Sequence, residues 1–225
     1  MTVLNDRRQL ITQTNPNSII SEQFKTIRTG IDFAGVDEKI KTLLITSPEV
    51  GTGKSTISAN LAIVFAQKGL RTLLIDGDMR KPTVHKTFDK NMNIGLSTSL
   101  TEDIDIVNCC QRTTIRNLFI LTCGVIPPNP NELLGSRRMK VALDRLKKNF
   151  DRIIIDTPPV MVVSDALVLA PNTDGVILVI RDNETLKDRA KQALEQIKIT
   201  KTPVIGAILN GVSEKENSPY YHVYK

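Results

Sequence analysis

Residues 47–56 read Ser-Pro-Glu-Val-Gly-Thr-Gly-Lys-Ser-Thr, a spacing suited to holding a phosphate chain. Gly51 and Gly53 tolerate the backbone angles that turn successive amide N–H groups toward one anion. Lys54 brings a cation to the β- and γ-phosphates of a nucleotide, and the Ser55 hydroxyl can ligate Mg2+. Thr52 and Thr56 complete the loop, and the helix that follows turns its positive end toward the same anion. The formal pattern opens on glycine where this chain has Pro48, but Gly51 and Gly53 occupy the tightest part of the turn.

Acids close two apolar runs elsewhere. Ile153-Ile154-Ile155-Asp156 precedes Thr157-Pro158-Pro159, and a carboxylate at such a strand end orients Mg2+, often through water. Leu73-Leu74-Ile75-Asp76-Gly77-Asp78 ends in paired acids two residues apart, which point the same way in an extended segment. One can serve Mg2+ while the other accepts a proton from an attacking hydroxyl or water. Asp78 can equally be an ordinary helix N-cap. Asn210, between Leu209 and Gly211, can bond both a donor and an acceptor on a nucleotide base, or act only as a turn residue. His85 and His222 are isolated and suit surface or packing roles.

Such groups need a scaffold, and the hydrophobic pattern supplies one. Strands are predicted at 43–46, 72–76, 118–122, 153–156, 176–180 and 204–209. Several lack polar alternation, which predicts burial on both faces and a mostly parallel sheet. Helical stripes alternate with them: Ile57, Leu61, Val64 and Phe65; Met139, Leu143, Leu146 and Phe150; Leu186, Ala190, Ala193, Leu194 and Ile197. A further helix is predicted over 18–35, with Phe24, Ile27, Ile31 and Ala34 on one face and Glu22, Lys25 and Arg28 as a charged flank. The alternation predicts a doubly wound α/β fold, and the acids then lie at the sheet edge where such folds place ligands. The expected organisation is a loose polar arm over 1–17, one domain over 18–212, and a flexible tail over 213–225.

A chain of 225 residues suits one α/β domain with a large core. Aromatics make up 4% and Trp is absent, so that core must be aliphatic. No apolar run approaches the ~20 residues that span a bilayer. The N-terminus lacks the apolar centre of a signal peptide, so a soluble, cytoplasmic protein is expected. Cys109, Cys110 and Cys123 lack metal-ligand spacing. The formal charge of +6 suggests anionic company, yet it is spread along the chain, so nucleic acid is not an expected partner.

From about residue 18 onward the sequence resembles the bacterial tyrosine kinases of capsule and exopolysaccharide systems. The resemblance is carried by the P-loop at 47–56, the acidic strand with Met79-Arg80-Lys81-Pro82-Thr83 after it, and the strand ending in Asp156. It also rests on Gly124-Val-Ile-Pro-Pro-Asn-Pro-Asn-Glu-Leu-Leu134, Gly206-Ala-Ile-Leu-Asn-Gly211, and a tail bearing Tyr220, Tyr221 and Tyr224. All three tyrosines of the chain fall in its last six residues. The resemblance implies a MinD/ParA-like P-loop fold and transfer of the γ-phosphoryl group of ATP, with Mg2+, to those tyrosines between subunits. It implies that Lys54 holds phosphates, that Ser55, Asp76 and Asp156 position the metal, and that Asp78 is the base. It further implies a ring built through Glu22, Lys25 and Arg28. Here the family's Glu-x-x-Arg-x-x-Arg carries Lys25, which keeps the charge but lacks the guanidinium fork. A membrane protein would activate the kinase through its cytoplasmic tail, holding it at the inner face of the membrane, and a phosphotyrosine phosphatase would oppose it.

Two alternatives use the same loop. A MinD/ParA-like switch would hydrolyse ATP without tyrosine transfer, but the signature Lys of that mechanism is replaced here by Glu49. A non-enzymatic P-loop module would bind nucleotide and dock to a membrane protein. Incubation with Mg-ATP and a phosphotyrosine blot separates them.

Overall fold

The apolar runs become strands of one seven-stranded sheet, and the helical stripes cover its two faces. The computed structural model describes residues 10–35, 40–102 and 104–213. In chain order the elements are α1 (Ile11–Thr14), α2 (Ile19–Ala34), β1 (Thr42–Thr46), α3 (Lys54–Gln67), β2 (Thr72–Asp76), α4 (Val84–Phe88), α5 (Leu96–Thr101), β3 (Gln111–Arg112) and β4 (Leu118–Leu121). They continue with α6 (Pro130–Leu134), α7 (Arg137–Asn149), β5 (Arg152–Asp156), α8 (Asp165–Leu169), β6 (Gly175–Arg181), α9 (Lys187–Ile199) and β7 (Val204–Asn210). The strand order is β3-β4-β2-β5-β1-β6-β7. All pairings are parallel except β3 with β4, as the doubly wound reading requires.

Every residue of β1, β2 and β5 is buried. Their side chains alternate between two cores. Leu43 and Ile45 join α2, α3 and Val84 on one face, while Leu44 joins α5, α7, α8 and α9 on the other. The α7 stripe of Met139, Leu143, Leu146 and Phe150 is wholly buried.

Three expectations need correction. The stripe on α3 is not one face, since Ile57–Ala66 is buried on every side. The reason is a second layer: α1 and α2 cover α3, with the Thr12 amide and hydroxyl donating to Asn60 Oδ1 at 3.0 and 2.8 Å. The arm over 1–17 is therefore not loose throughout, because α1 carries Thr12, only 1% exposed. On α2, Phe24 and Ile31 are buried but Ala34 is exposed at the helix end. Among the described residues no helix is long and apolar enough to cross a membrane.

Candidate functional site

The parallel register brings the predicted acids together. β2 and β5 pair with Asp76 opposite Asp156, and β1 pairs Ile45 with Asp156. The chain leaving β1 thus begins its loop beside both carboxylates, at the carboxyl edge of the sheet where open α/β folds bind ligands. Gly77 lets the next residues pass: its N–H donates to the Asp156 carbonyl at 2.8 Å, and a Cβ there would lie 2.9 Å from that oxygen.

Gly51 and Gly53 adopt φ of 82° and 84°, the left-handed conformation expected for the loop. Gly53 caps α3, so the helix opens at Lys54. Lys54 Nζ lies 3.4 Å from Asp78 Oδ2, 3.6 Å from Asp156 Oδ1 and 3.2 Å from Ser55 Oγ. Val50, Gly51, Gly53, Lys54, Ser55, Thr56, Asp78, Lys81, Thr83 and Pro159 line a cavity of about 310 Å³. Thr52 is 2% exposed and its carbonyl accepts from Asn210 Nδ2 at 2.8 Å. That contact adds a bracing role for Asn210: one N–H of its amide is committed to the loop, which leaves the second N–H and Oδ1 for a two-point contact. The same side chain explains Gly53, since a Cβ there would stand 2.2 Å from Asn210 Nδ2.

The acids differ in their partners. Asp78 Oδ1 accepts from the Lys81 amide at 3.0 Å, a local turn bond, while Oδ2 faces Lys54. Thr83, not Asp78, stands at the N-cap position of α4, and its side chain makes no capping bond. Asp76 is 0% exposed, and its Oδ2 accepts from the Thr83 and Val84 amides at 2.8 and 2.9 Å. Burial, then the adjacent Asp156 carboxylate, push Asp76 up to about 7, against the pull of those amides. Asp76 Oδ1 and Asp156 Oδ2 are buried with no hydrogen-bond partner. Two carboxylates side by side, each with an orphaned oxygen, fit a cation that would satisfy both. Among the described residues no three His, Cys, Asp or Glu side chains group to hold a metal. Mg2+ does not need three, since it binds through one or two carboxylates plus substrate phosphates and retained water.

Two positioning contacts escaped the sequence reading. Ser58 Oγ donates to Asp156 Oδ1 at 3.2 Å, and its signal was its place one helical turn after Lys54. Arg80 grips the buried Asp165 through Nε at 2.8 Å and one terminal nitrogen at 3.0 Å, a fork across 85 residues that no local pattern reports. On α2, Lys25 pairs with Glu22 at 2.7 Å on the exposed flank, whereas Arg28 turns inward and donates to the Val64 carbonyl at 3.0 Å. Tyr220, Tyr221 and Tyr224 lie outside the described residues. Cys109 and Cys123 are buried, and burial pushes the Cys110 and Cys123 thiols up to about 12, away from reactivity.

Comparison with known proteins gives the chain its relatives. Residues 40–205 match the family described as an AAA domain. Tyrosine-protein kinase YwqD of Bacillus subtilis (strain 168) is 44% identical over 214 residues, covering 95% of this chain and 90% of that protein. The crystal structure of the chimerical protein CapA2B2 superposes with a TM-score of 0.88 at 42% identity, covering 91% of this chain and 90% of that one. The septum site-determining protein MinD from Pyrococcus horikoshii, solved with Mg-ADP, reaches a TM-score of 0.66 at 24% identity, over 80% of this chain and 75% of that one. This last likeness is one of fold alone.

Proposed function

The chain belongs to the bacterial tyrosine-protein kinases, and from that premise we propose that it transfers the γ-phosphoryl group of Mg-ATP to Tyr220, Tyr221 and Tyr224 of a neighbouring subunit. The observation that carries this reading is the pair of orphaned oxygens on Asp76 and Asp156 beside Lys54. The loop amides and Lys54 bind the phosphates. Ser55, Asp76 and Asp156 hold Mg2+, which would neutralise charge on the β- and γ-phosphates. Asp78 lies at the mouth, 8% exposed, and accepts the phenolic proton as the tyrosine oxygen attacks phosphorus. Ser58 fixes Asp156, and the Thr83 and Val84 amides fix Asp76, so neither carboxylate must reorganise.

The acceptors follow from the composition. The chain has three tyrosines, all in its last six residues, so phosphotyrosine on it is tail phosphotyrosine. Each phosphate adds about −1.5 to −2 charges. A phosphorylated tail is repelled by Asp76, Asp78 and Asp156, and the ring, built on the exposed flank of α2 at Glu22 and Lys25, loosens. In the cell the kinase acts beside a membrane-protein activator at the inner face of the membrane, opposed by a phosphatase, and tunes capsular or extracellular polysaccharide synthesis and export.

The test is a mixture of a Lys54→Met chain with one in which Tyr220, Tyr221 and Tyr224 are Phe, incubated with Mg-ATP and the activator's tail. Phosphotyrosine should appear on the Lys54→Met chain, which cannot catalyse. ATP hydrolysis with no phosphotyrosine on either chain would return the reading to a switch ATPase.

A further inference from the structure

Lys81 stands on the wall of the phosphate cavity with Lys54 and Asp78, and it is exposed. Its backbone is not free to wander. The Lys81 amide is tied to Asp78, the amides two and three residues later are tied to Asp76, and Arg80 is forked onto Asp165. Pro82 fixes the one backbone angle between those ties. A short rigid strap therefore presents one long flexible cation at the pocket. Among the described residues the Lys81 ammonium has no ion pair or hydrogen bond, whereas the guanidinium beside it, on Arg80, is held by Asp165.

The charges around it are unbalanced. Asp78 lines the cavity, Asp76 and Asp156 lie buried near it, and Lys54 is shared between Asp78 and Asp156 at 3.4 and 3.6 Å. A nucleoside triphosphate adds further negative charge, concentrated on its terminal phosphoryl group. Phosphoryl transfer is catalysed mainly by positioning and charge stabilisation. Glu49, at the loop position where switch ATPases carry a second lysine, supplies no cation.

We propose that Lys81 contacts the γ-phosphoryl group of the bound triphosphate and supplies the second protein cation that the transfer requires. The inference rests on the reading of this cavity as the Mg-ATP site. During transfer the bond from the γ-phosphorus to the β,γ-bridging oxygen breaks, and its electron pair leaves with ADP. The bond to the acceptor oxygen forms, and the acceptor proton goes to Asp78. Lys81 keeps its proton throughout and contributes only charge.

The experiment compares wild type, Lys81→Met, Lys81→Arg and Lys54→Met. Calorimetry gives affinities for Mg-ADP and for a non-hydrolysable Mg-ATP analogue, and single-turnover assays give phosphotyrosine formation. Lys81→Met should keep its ADP affinity within about twofold, lose most of its preference for the triphosphate, and slow transfer about 10- to 100-fold. Lys81→Arg should recover most of both. Unchanged triphosphate preference and transfer in Lys81→Met would overturn the proposal. So would an equal loss of affinity for ADP and the triphosphate, which marks a structural defect. Lys54→Met separates the two readings: if it too transferred normally, the cavity itself would be misassigned.

Discussion

The two edges of the sheet use the same residue type in opposite ways. At the amino edge, Asp174 has both carboxylate oxygens occupied: Oδ2 accepts from the Lys41 and Thr42 amides at 2.8 Å each, and Oδ1 meets Lys147 Nζ at 3.3 Å. Burial alone would raise its pKa, but those amides, the Thr42 hydroxyl and Lys147 outweigh it and hold the carboxyl below the usual range. At the carboxyl edge, Asp76 and Asp156 each keep a buried oxygen without a partner, and burial drives Asp76 up. Saturated carboxylates tie strands together. Unsaturated ones cost stability and suit a ligand, which is why the proposed metal site is placed on the orphaned oxygens.

The largest break in this contrast comes from Asp78. Asp78→Asn should lower the rate of tyrosine phosphorylation about 100-fold or more, because Asn keeps the shape and cannot take the proton. Its Mg-ATP affinity should fall less than in Asp156→Asn, where a ligand to the metal is lost. Calorimetry beside single-turnover kinetics checks this, and equal losses of binding would end the division of roles.

At the amino edge the expected effect is on folding. Asp174→Ala should lower unfolding free energy by about 1–3 kcal/mol by stripping the partners of two amides, with nucleotide affinity kept. A carboxyl with a depressed pKa contributes stability above its unfolded value of about 3.9, and loses it as pH falls through the folded one. Urea titrations should therefore show the gap between wild type and Asp174→Ala closing below about pH 4. A smaller effect belongs to Asn210, which braces the loop from β7. Asn210→Ala should raise the Mg-ADP dissociation constant about 3- to 10-fold, the worth of one hydrogen bond, by freeing the Thr52 carbonyl. An unchanged constant would leave Asn210 as a turn residue.

How much of this was legible depended on range. The strands and the loop were readable because apolar runs ending in Asp, and glycines before Lys-Ser, are local patterns that burial and phosphate geometry require. What escaped was long-range. The α1 turn forms because Thr12 meets Asn60 across 48 residues, and nothing near Thr12 announces it. β3 has two residues and exists only by pairing with β4. Asn210 was singled out for its position, yet one of its two N–H donors goes to a carbonyl 158 residues away. Arg28 was read as part of an outward charged flank and instead caps the end of α3 at Val64, because the second helical layer brings that carbonyl within reach.

The most direct test sets Asp76 against Asp174. Thermal unfolding of Asp76→Asn and Asp174→Ala is measured at pH 8 with and without Mg-ADP. The unfolded Asp76 is ionised there, and folding forces that charge into a site where burial and Asp156 oppose it. Asp76→Asn should therefore melt several degrees above wild type without ligand, the equivalent of ~2 kcal/mol, and gain little from Mg-ADP. Asp174→Ala should melt below wild type and gain as much from Mg-ADP as wild type does. If Asp76→Asn instead melted lower without ligand and gained the full shift from Mg-ADP, the orphaned oxygens would not be a metal site, and the contrast between the two edges would be wrong.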